Sequence, residues 1–176
     1  MIDLPRLSLI LGGARAGKSR FAEGLCTRSA GELVYIATAE AGDAEMAERI
    51  RLHRAARDVR WRTVEEPLDL AGRLIDEAHP GRVVLVDCLT LWLSNLMLAG
   101  QDPSTETERL IAALSVLRCP TVLVANEVGL GIVPDNALAR AFRDAAGRLN
   151  QRVATVAGYV VFVAAGLPMV LKDDGG

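Results

Sequence analysis

Leu7-Ser8-Leu9-Ile10-Leu11-Gly12-Gly13-Ala14-Arg15-Ala16-Gly17-Lys18-Ser19 is the stretch whose reading decides the fold. Its first five residues form a short apolar run closed by two glycines, the pattern of a buried strand. The next eight fit G-x-x-x-x-G-K-[ST] at every fixed position, and a helical pattern over 18–29 follows. Strand, glycine loop and helix in that order make a phosphate cradle. The glycines let the backbone curl until successive N–H groups face phosphate oxygens at the positive end of the helix. Lys18 supplies an ammonium to the terminal phosphates, and Ser19 a hydroxyl to Mg²⁺. The motif signals a nucleoside triphosphate and leaves the acceptor open.

Composition sharpens the role of Lys18. Of the 20 basic residues all but Lys18 and Lys172 are arginine. A lysine kept in the body of such a chain points to a task that a planar guanidinium does not perform.

Working outward, strands are expected over 33–37, 61–64, 82–87, 121–125, 159–164 and 169–171. Helices are expected over 43–57 with Asp43 as N-cap, over 67–78 with Pro67 in the first turn, over 90–98, up to 117, and over 136–157. Residues 99–107 read as a surface loop, and the last helix as capped by Asp135 with an inward stripe of Leu138, Phe142, Ala145, Leu149, Val153 and Val156. Apolar strands alternating with helices indicate a mostly parallel sheet with helices on both faces, of the P-loop, RecA-like α/β class. Ligands of such sheets sit at the carboxyl ends of the strands, where the loops after Leu11, Ala37, Asp87 and Ala125 should converge.

The 176 residues suit one domain. Hydrophobic residues make up 51% and charged ones 24%, with few aromatics, so the core is built from Leu, Val, Ile and Ala. A net charge of −2 offers no positive field for a polyanion, which argues against nucleic acid as the partner. No apolar run reaches the ~18 residues of a membrane span. The residues after Met1 lack the order of a secretory signal, and Cys26, Cys88 and Cys119 have no metal or redox spacing. A cytoplasmic protein with reduced thiols is expected.

Asp87 ends the strongest strand, at the height where a carboxylate steadies Mg²⁺; it is also placed to cap the helix after it. Asn126-Glu127-Val128-Gly129 does not match the guanine reader of signalling GTPases. The loop from Asn126 to Pro134 reads equally as a substrate cover or a connector. Arg140, Asp144 and Arg148 form a solvated or subunit-facing stripe. Residues 45–66 hold six arginines (Arg49, Arg51, Arg54, Arg57, Arg60, Arg62) against five acids (Glu45, Glu48, Asp58, Glu65, Glu66), the balance of a solvated helix with pairs such as Glu45–Arg49. Yet Met46, Ile50, His53 and Arg57 share one helical stripe, so His53 faces inward. Periodicity leaves both a packed and a catalytic histidine open.

GGARAGKS (12–19), VYIATAEAGDAEMAERI (34–50), RLHRAARDVRWRTVEEP (51–67), VVLVDCLTLWLSNLM (83–97) and NEVGLGIVPDNALARAFRDAAGRLNQRVA (126–154) occur in one order over nearly the whole chain. Together they resemble the bifunctional adenosylcobinamide kinase / adenosylcobinamide-phosphate guanylyltransferase family of cobalamin assembly. The resemblance implies phosphorylation of the aminopropanol hydroxyl of adenosylcobinamide by ATP or GTP, then transfer of GMP from GTP onto that phosphate through a histidine–GMP intermediate. It implies His53 as the nucleophile. It implies nucleotide contacts at Gly12, Gly13, Ala14, Arg15, Ala16, Gly17, Lys18, Ser19, Ala37, Thr38, Ala39, Arg54, Ala55, Ala56, Arg57, Glu65 and Asp87, with Mg²⁺ at Ser19 and Asp87. Some relatives carry two adjacent histidines where this chain has Leu52-His53, and some carry Glu where Asp87 stands. A neutral imidazole can attack the α-phosphorus and expel pyrophosphate, splitting the transfer into two easier displacements. The resemblance further implies a symmetric homo-oligomer, a trimer being favoured. Two other readings compete: a single-activity small-metabolite kinase with an arginine-rich lid over 49–62, and a nucleotide-gated assembly module.

Overall fold

The computed structural model describes residues 4–39 and 59–175. The helix expected over 43–57, with Met46, Ile50, His53, Arg54, Ala55, Ala56 and Arg57, lies outside the described residues.

The described elements are β1 (Leu7–Gly12), α1 (Lys18–Cys26), β2 (Glu32–Ala37), β3 (Trp61–Glu65), α2 (Leu70–Glu77), β4 (Arg82–Asp87), α3 (Leu89–Leu98), α4 (Pro103–Val116), β5 (Thr121–Asn126), α5 (Ala137–Val156), β6 (Tyr159–Ala164) and β7 (Leu167–Asp173). The strands form one sheet in the order β3-β2-β4-β5-β1-β6-β7. Every neighbouring pair is parallel except β6 and β7, which form an antiparallel hairpin.

The apolar runs of the central strands are explained by their having two buried faces. Leu9, Val34, Ile36, Val84, Val86 and Leu123 point to one face, where they pack with Leu74, Trp92, Leu93, Leu110 and Leu149 of the later helices. Ile10, Leu33, Tyr35, Val83, Leu85, Val122 and Val124 alternate to the other, against Ala22, Leu25 and Cys26 of α1. Full burial of each such aliphatic side chain is worth roughly 1.5–3 kcal/mol, so both faces must be covered. Cys26, Cys88 and Cys119 are free and buried, and burial pushes the Cys26 thiol up to about 12 and the Cys88 thiol to about 11.

Five expectations need correction. Residues 103–107 are helical rather than loop: Pro103 opens α4 and the Asp102 carboxylate caps it by accepting from the Ser104 and Thr105 N–H groups. Pro67 precedes α2 instead of lying in its first turn, because Asp69 caps the helix by accepting from Gly72 N–H. Asn136, not Asp135, caps α5, accepting from Ala139 N–H at 2.7 Å. Leu138 leaves the inward stripe of that helix and is 63% exposed. The closing strand is also longer than 169–171, since its pairing with β6 runs from Leu167 to Asp173.

The turn between β6 and β7 is built on Ala165 (φ 51°) and Gly166 (φ 79°), two positive-φ residues whose twist suits a tight hairpin. Its Gly166 N–H donates to the Ala16 carbonyl at 2.9 Å, which locks the hairpin tip onto the glycine loop.

Candidate functional site

The glycine loop hangs from the carboxyl end of β1, and the steric reason for two of its glycines comes from the β6–β7 hairpin. A Cβ on Gly12 would lie 2.3 Å from the Val163 carbonyl oxygen, and one on Gly17 3.3 Å from the Gly166 Cα. Both residues also hold positive φ, at 151° and 99°. The loop is therefore set by the hairpin beside it before any phosphate arrives.

Lys18 begins α1 and is 7% exposed. Its ammonium donates to the Gly13 carbonyl at 2.6 Å. Burial lowers its pKa, while the Cys88 thiol and Asp87 carboxylate pull it back up. A buried cation held, among the described residues, on one carbonyl gains most from an anionic ligand, which is what a triphosphate supplies.

Asp87 ends β4, and β5 lies between that strand and β1. Its Oδ2 accepts from the Tyr35 hydroxyl at 2.9 Å. The residue that caps α3 is Cys88, whose sulfur accepts from Leu91 N–H at 3.4 Å. Asp87 is thus free of the capping role that the sequence also allowed. Thr38, fully buried, clasps the chain after Asp87: its hydroxyl donates to the Cys88 carbonyl and accepts from Cys88 N–H, both at 2.8 Å. The Asn95 amide in turn donates to the Thr38 carbonyl at 2.8 Å and to the Pro67 carbonyl at 3.2 Å. The Thr90 hydroxyl accepts from Asn126 N–H at 2.7 Å and ties α3 to the end of β5.

Strand register places most of the expected residues at one edge. Ala37 pairs with both Glu65 and Asp87, and Gly12 with Asn126, so the loop 12–19, Ala37, Thr38, Ala39, Glu65 and Asp87 all stand at the carboxyl end of the sheet. Arg62 does not. It sits near the start of β3 and binds the carboxylates of Glu32 and Glu77, which Arg82 also binds. That network joins the amino ends of β2, β3 and β4, away from the phosphate loop, so Arg62 is no part of a lid.

Tyr35, Thr90 and Asn95 escaped the sequence reading. The available signal was a polar tip inside an apolar element: Tyr35 in Leu33–Ala37, Asn95 in an otherwise greasy helix. Among the described residues no cluster of three His, Cys, Asp or Glu side chains suits a metal ion. The hard oxygens of Ser19 and Asp87 fit Mg²⁺ of the kind that relies on one or two protein ligands and substrate phosphates. Among the described residues no helix is long and apolar enough to cross a membrane.

Solved structures with a similar backbone include the flagellar accessory protein FlaH of Methanocaldococcus jannaschii (TM-score 0.54, 12% identity, 97% of this chain and 80% of that one). The RadB recombinase gives a TM-score of 0.54 at 14% identity, over 90% of this chain and 74% of that one. These likenesses establish the P-loop, RecA-like fold and nothing finer. Sequence relatives go further. The bifunctional adenosylcobalamin biosynthesis protein CobP of Pseudomonas aeruginosa is 53% identical over 169 residues, covering 94% of this chain and 97% of that protein. The bifunctional adenosylcobalamin biosynthesis protein CobU of Escherichia coli is 43% identical over 181 aligned positions, covering 93% and 98%. The family model described as cobinamide kinase / cobinamide phosphate guanyltransferase matches residues 8–171. On that span and those identities, this chain belongs to the cobinamide kinase / cobinamide phosphate guanyltransferase family.

Proposed function

We propose that the two activities of the family share the carboxyl edge of this sheet, on a single domain. The observation that carries the reading is the buried Lys18 ammonium inside a glycine loop, at the same strand ends as a carboxylate held by Tyr35. The residues 12–19 hold ATP or GTP, with loop N–H groups and Lys18 on the phosphates. Ser19 and Asp87 hold Mg²⁺, which when bound offsets charge on the phosphate oxygens. In the kinase step the hydroxyl oxygen of adenosylcobinamide attacks the γ-phosphorus, and the nucleoside diphosphate leaves. In the transfer step a His53 ring nitrogen attacks the α-phosphorus of GTP and pyrophosphate leaves. An oxygen of adenosylcobinamide phosphate then displaces the imidazole and takes the GMP.

His53 enters from the family resemblance, as do the contacts of Arg54, Ala55, Ala56 and Arg57. Arginine forks at those positions suit phosphate oxygens. Ala37, Ala39 and Glu65 flank the nucleotide at the neighbouring strand ends, and Thr38 acts through the chain after Asp87. The reading extends to a cytoplasmic homo-oligomer, a trimer, which light scattering tests directly. The chemistry is tested with GTP labelled in its α-phosphate. Acid-labile label stays on the wild-type chain and is lost in His53→Ala, while γ-phosphate transfer to adenosylcobinamide persists. Absence of label on the wild type overturns the assignment of His53.

A further inference from the structure

The segment between β5 and α5 carries the feature that phosphate chemistry leaves unused. It departs within one residue of the glycine loop: Asn126 pairs with Gly12, and Glu127 N–H donates to the Gly12 carbonyl at 3.0 Å. Because β5 lies between β1 and β4, the segment emerges between the strand that carries Lys18's loop and the strand that ends in Asp87. Both of its ends are tied down. The Glu127 carboxylate accepts from Gly129 N–H at 2.5 Å, and the Arg140 guanidinium donates to the carbonyls of Pro134 and Asp135 at 2.9 and 2.8 Å.

Between those ties the side chains are apolar and out in water. Leu130 is 81% exposed, Ile132 97%, Val133 60% and Leu138 63%. From Val128 to Leu138 the only charged side chain is Asp135. Single exposed aliphatics are ordinary, but four within nine residues at the lip of a binding edge mark a contact surface.

We propose that this segment seats the corrin ring of the acceptor, with Leu130 and Ile132 as its main contacts. The inference rests on the family reading, which makes cobinamide the acceptor, and adds where that acceptor lies. A corrin ring is large, edged with methyl groups and uncharged amides, and its hydroxyl-bearing arm must reach the γ-phosphate over Lys18. An apolar lip with one charge, starting at the phosphate loop, complements such a ring. It does not complement a nucleotide, whose phosphates and ribose would lose water without gaining partners. Three of these side chains on the loop, with Leu138 in the first turn of α5, make a small patch beside the ~800 Å² per partner that a stable protein interface buries.

The test is Leu130→Ser/Ile132→Ser, with Ile132→Ser alone as a milder form; both positions are exposed, so the fold does not depend on them. Equilibrium dialysis with cobinamide is expected to show about tenfold weaker binding for the double variant and a smaller loss for the single. Affinity for a fluorescent GTP analogue and the mass by light scattering are expected to match wild type. Unchanged cobinamide affinity overturns the proposal. So does a loss seen only together with a fall in mass, which would make the segment an interface between copies. Failure of the wild-type protein to bind cobinamide at all removes cobinamide as the acceptor and the proposal with it, a result distinct from either of these.

Discussion

Two lysines, at opposite kinds of helix end, show how one side chain serves a site in one place and the fold in another. Lys18 starts α1, where unpaired N–H groups already make the surroundings positive, and among the described residues its ammonium donates to one backbone carbonyl. Lys172, on β7, reaches the end of α5 and donates to the carbonyls of Ala154, Thr155 and Ala157 at 3.4, 3.3 and 2.7 Å. Asp174 pairs with it at 3.1 Å. Cation and helix dipole agree at Lys172, so the contact is complete as it stands. They oppose one another at Lys18, where burial also lowers the pKa. A cation placed against its surroundings is stabilised by the anion it waits for. The carboxylates differ in the same sense: Asp174 binds its lysine directly, whereas Asp87 is engaged by Tyr35.

The sharpest break of this comparison is Lys18→Met, which keeps length and apolar bulk and removes the charge. Phosphoryl transfer to cobinamide should fall by at least about 10³-fold, because the group that offsets charge on the transferring phosphate is gone. Thermal stability should hold or rise, since a desolvated cation has been replaced by a side chain that prefers burial. Kinase assay and melting curve together decide it. A large drop in melting temperature would mean that Lys18 supports the loop as Lys172 supports its helix, and the contrast would dissolve.

A smaller effect is expected from Tyr35→Phe, which removes only the hydroxyl that holds Asp87 Oδ2. One buried hydrogen bond to a charged group is worth about 1.5–3 kcal/mol. Freed from Tyr35, Asp87 can turn toward Lys18 and form the ion pair that Asp174 already makes with Lys172. Affinity for Mn²⁺ in the nucleotide complex, followed by electron paramagnetic resonance, should weaken about five- to tenfold. Melting temperature should fall by several degrees and no further, because the T-shaped packing of the Tyr35 ring on Trp61, at 5.9 Å, survives. Unaltered Mn²⁺ affinity would make Tyr35 a packing residue only.

Tyr35 also shows where a sequence stops being legible. The ends of β1, β4, β5 and β6 agree with the apolar runs to within a residue, because strands buried on both faces are continuous in the sequence and end at Gly, Pro or a polar residue. The start of α4 was readable too: Asp102-Pro103 is a cap followed by a first-turn proline, and the polar residues after it hid a helix with only Thr107, Leu110, Ala113 and Leu114 facing in. The glycine loop announced itself by residue type. The hydrogen bond from Tyr35 to Asp87 spans 52 positions and exists only because β2 and β4 are neighbours. Which strands neighbour one another is fixed by tertiary packing, and no local pattern encodes it. The same holds for Gly12, whose need for a bare Cα comes from Val163 on β6.

The mildest prediction works on the other side of the comparison. Lys172→Met removes the donor from three carbonyls at the end of α5 and the partner of Asp174, while the stem that crosses β7 remains. Those carbonyls are partly open to water, so they are rehydrated rather than orphaned, and the expected loss is about 1 kcal/mol of stability, a few degrees in melting temperature. Kinase turnover and retention of the α-phosphate label should match wild type when measured well below the melting transition. The hairpin of β6 and β7, however, ends in the Gly166 contact with Ala16, so loosening β7 has a route to the phosphate loop. A rise in the KM for nucleotide, with kcat unchanged, would show that this route is used. The two lysines would then be coupled through the hairpin rather than independent, and the division between a cation for the ligand and a cation for the fold would need to be redrawn at Gly166.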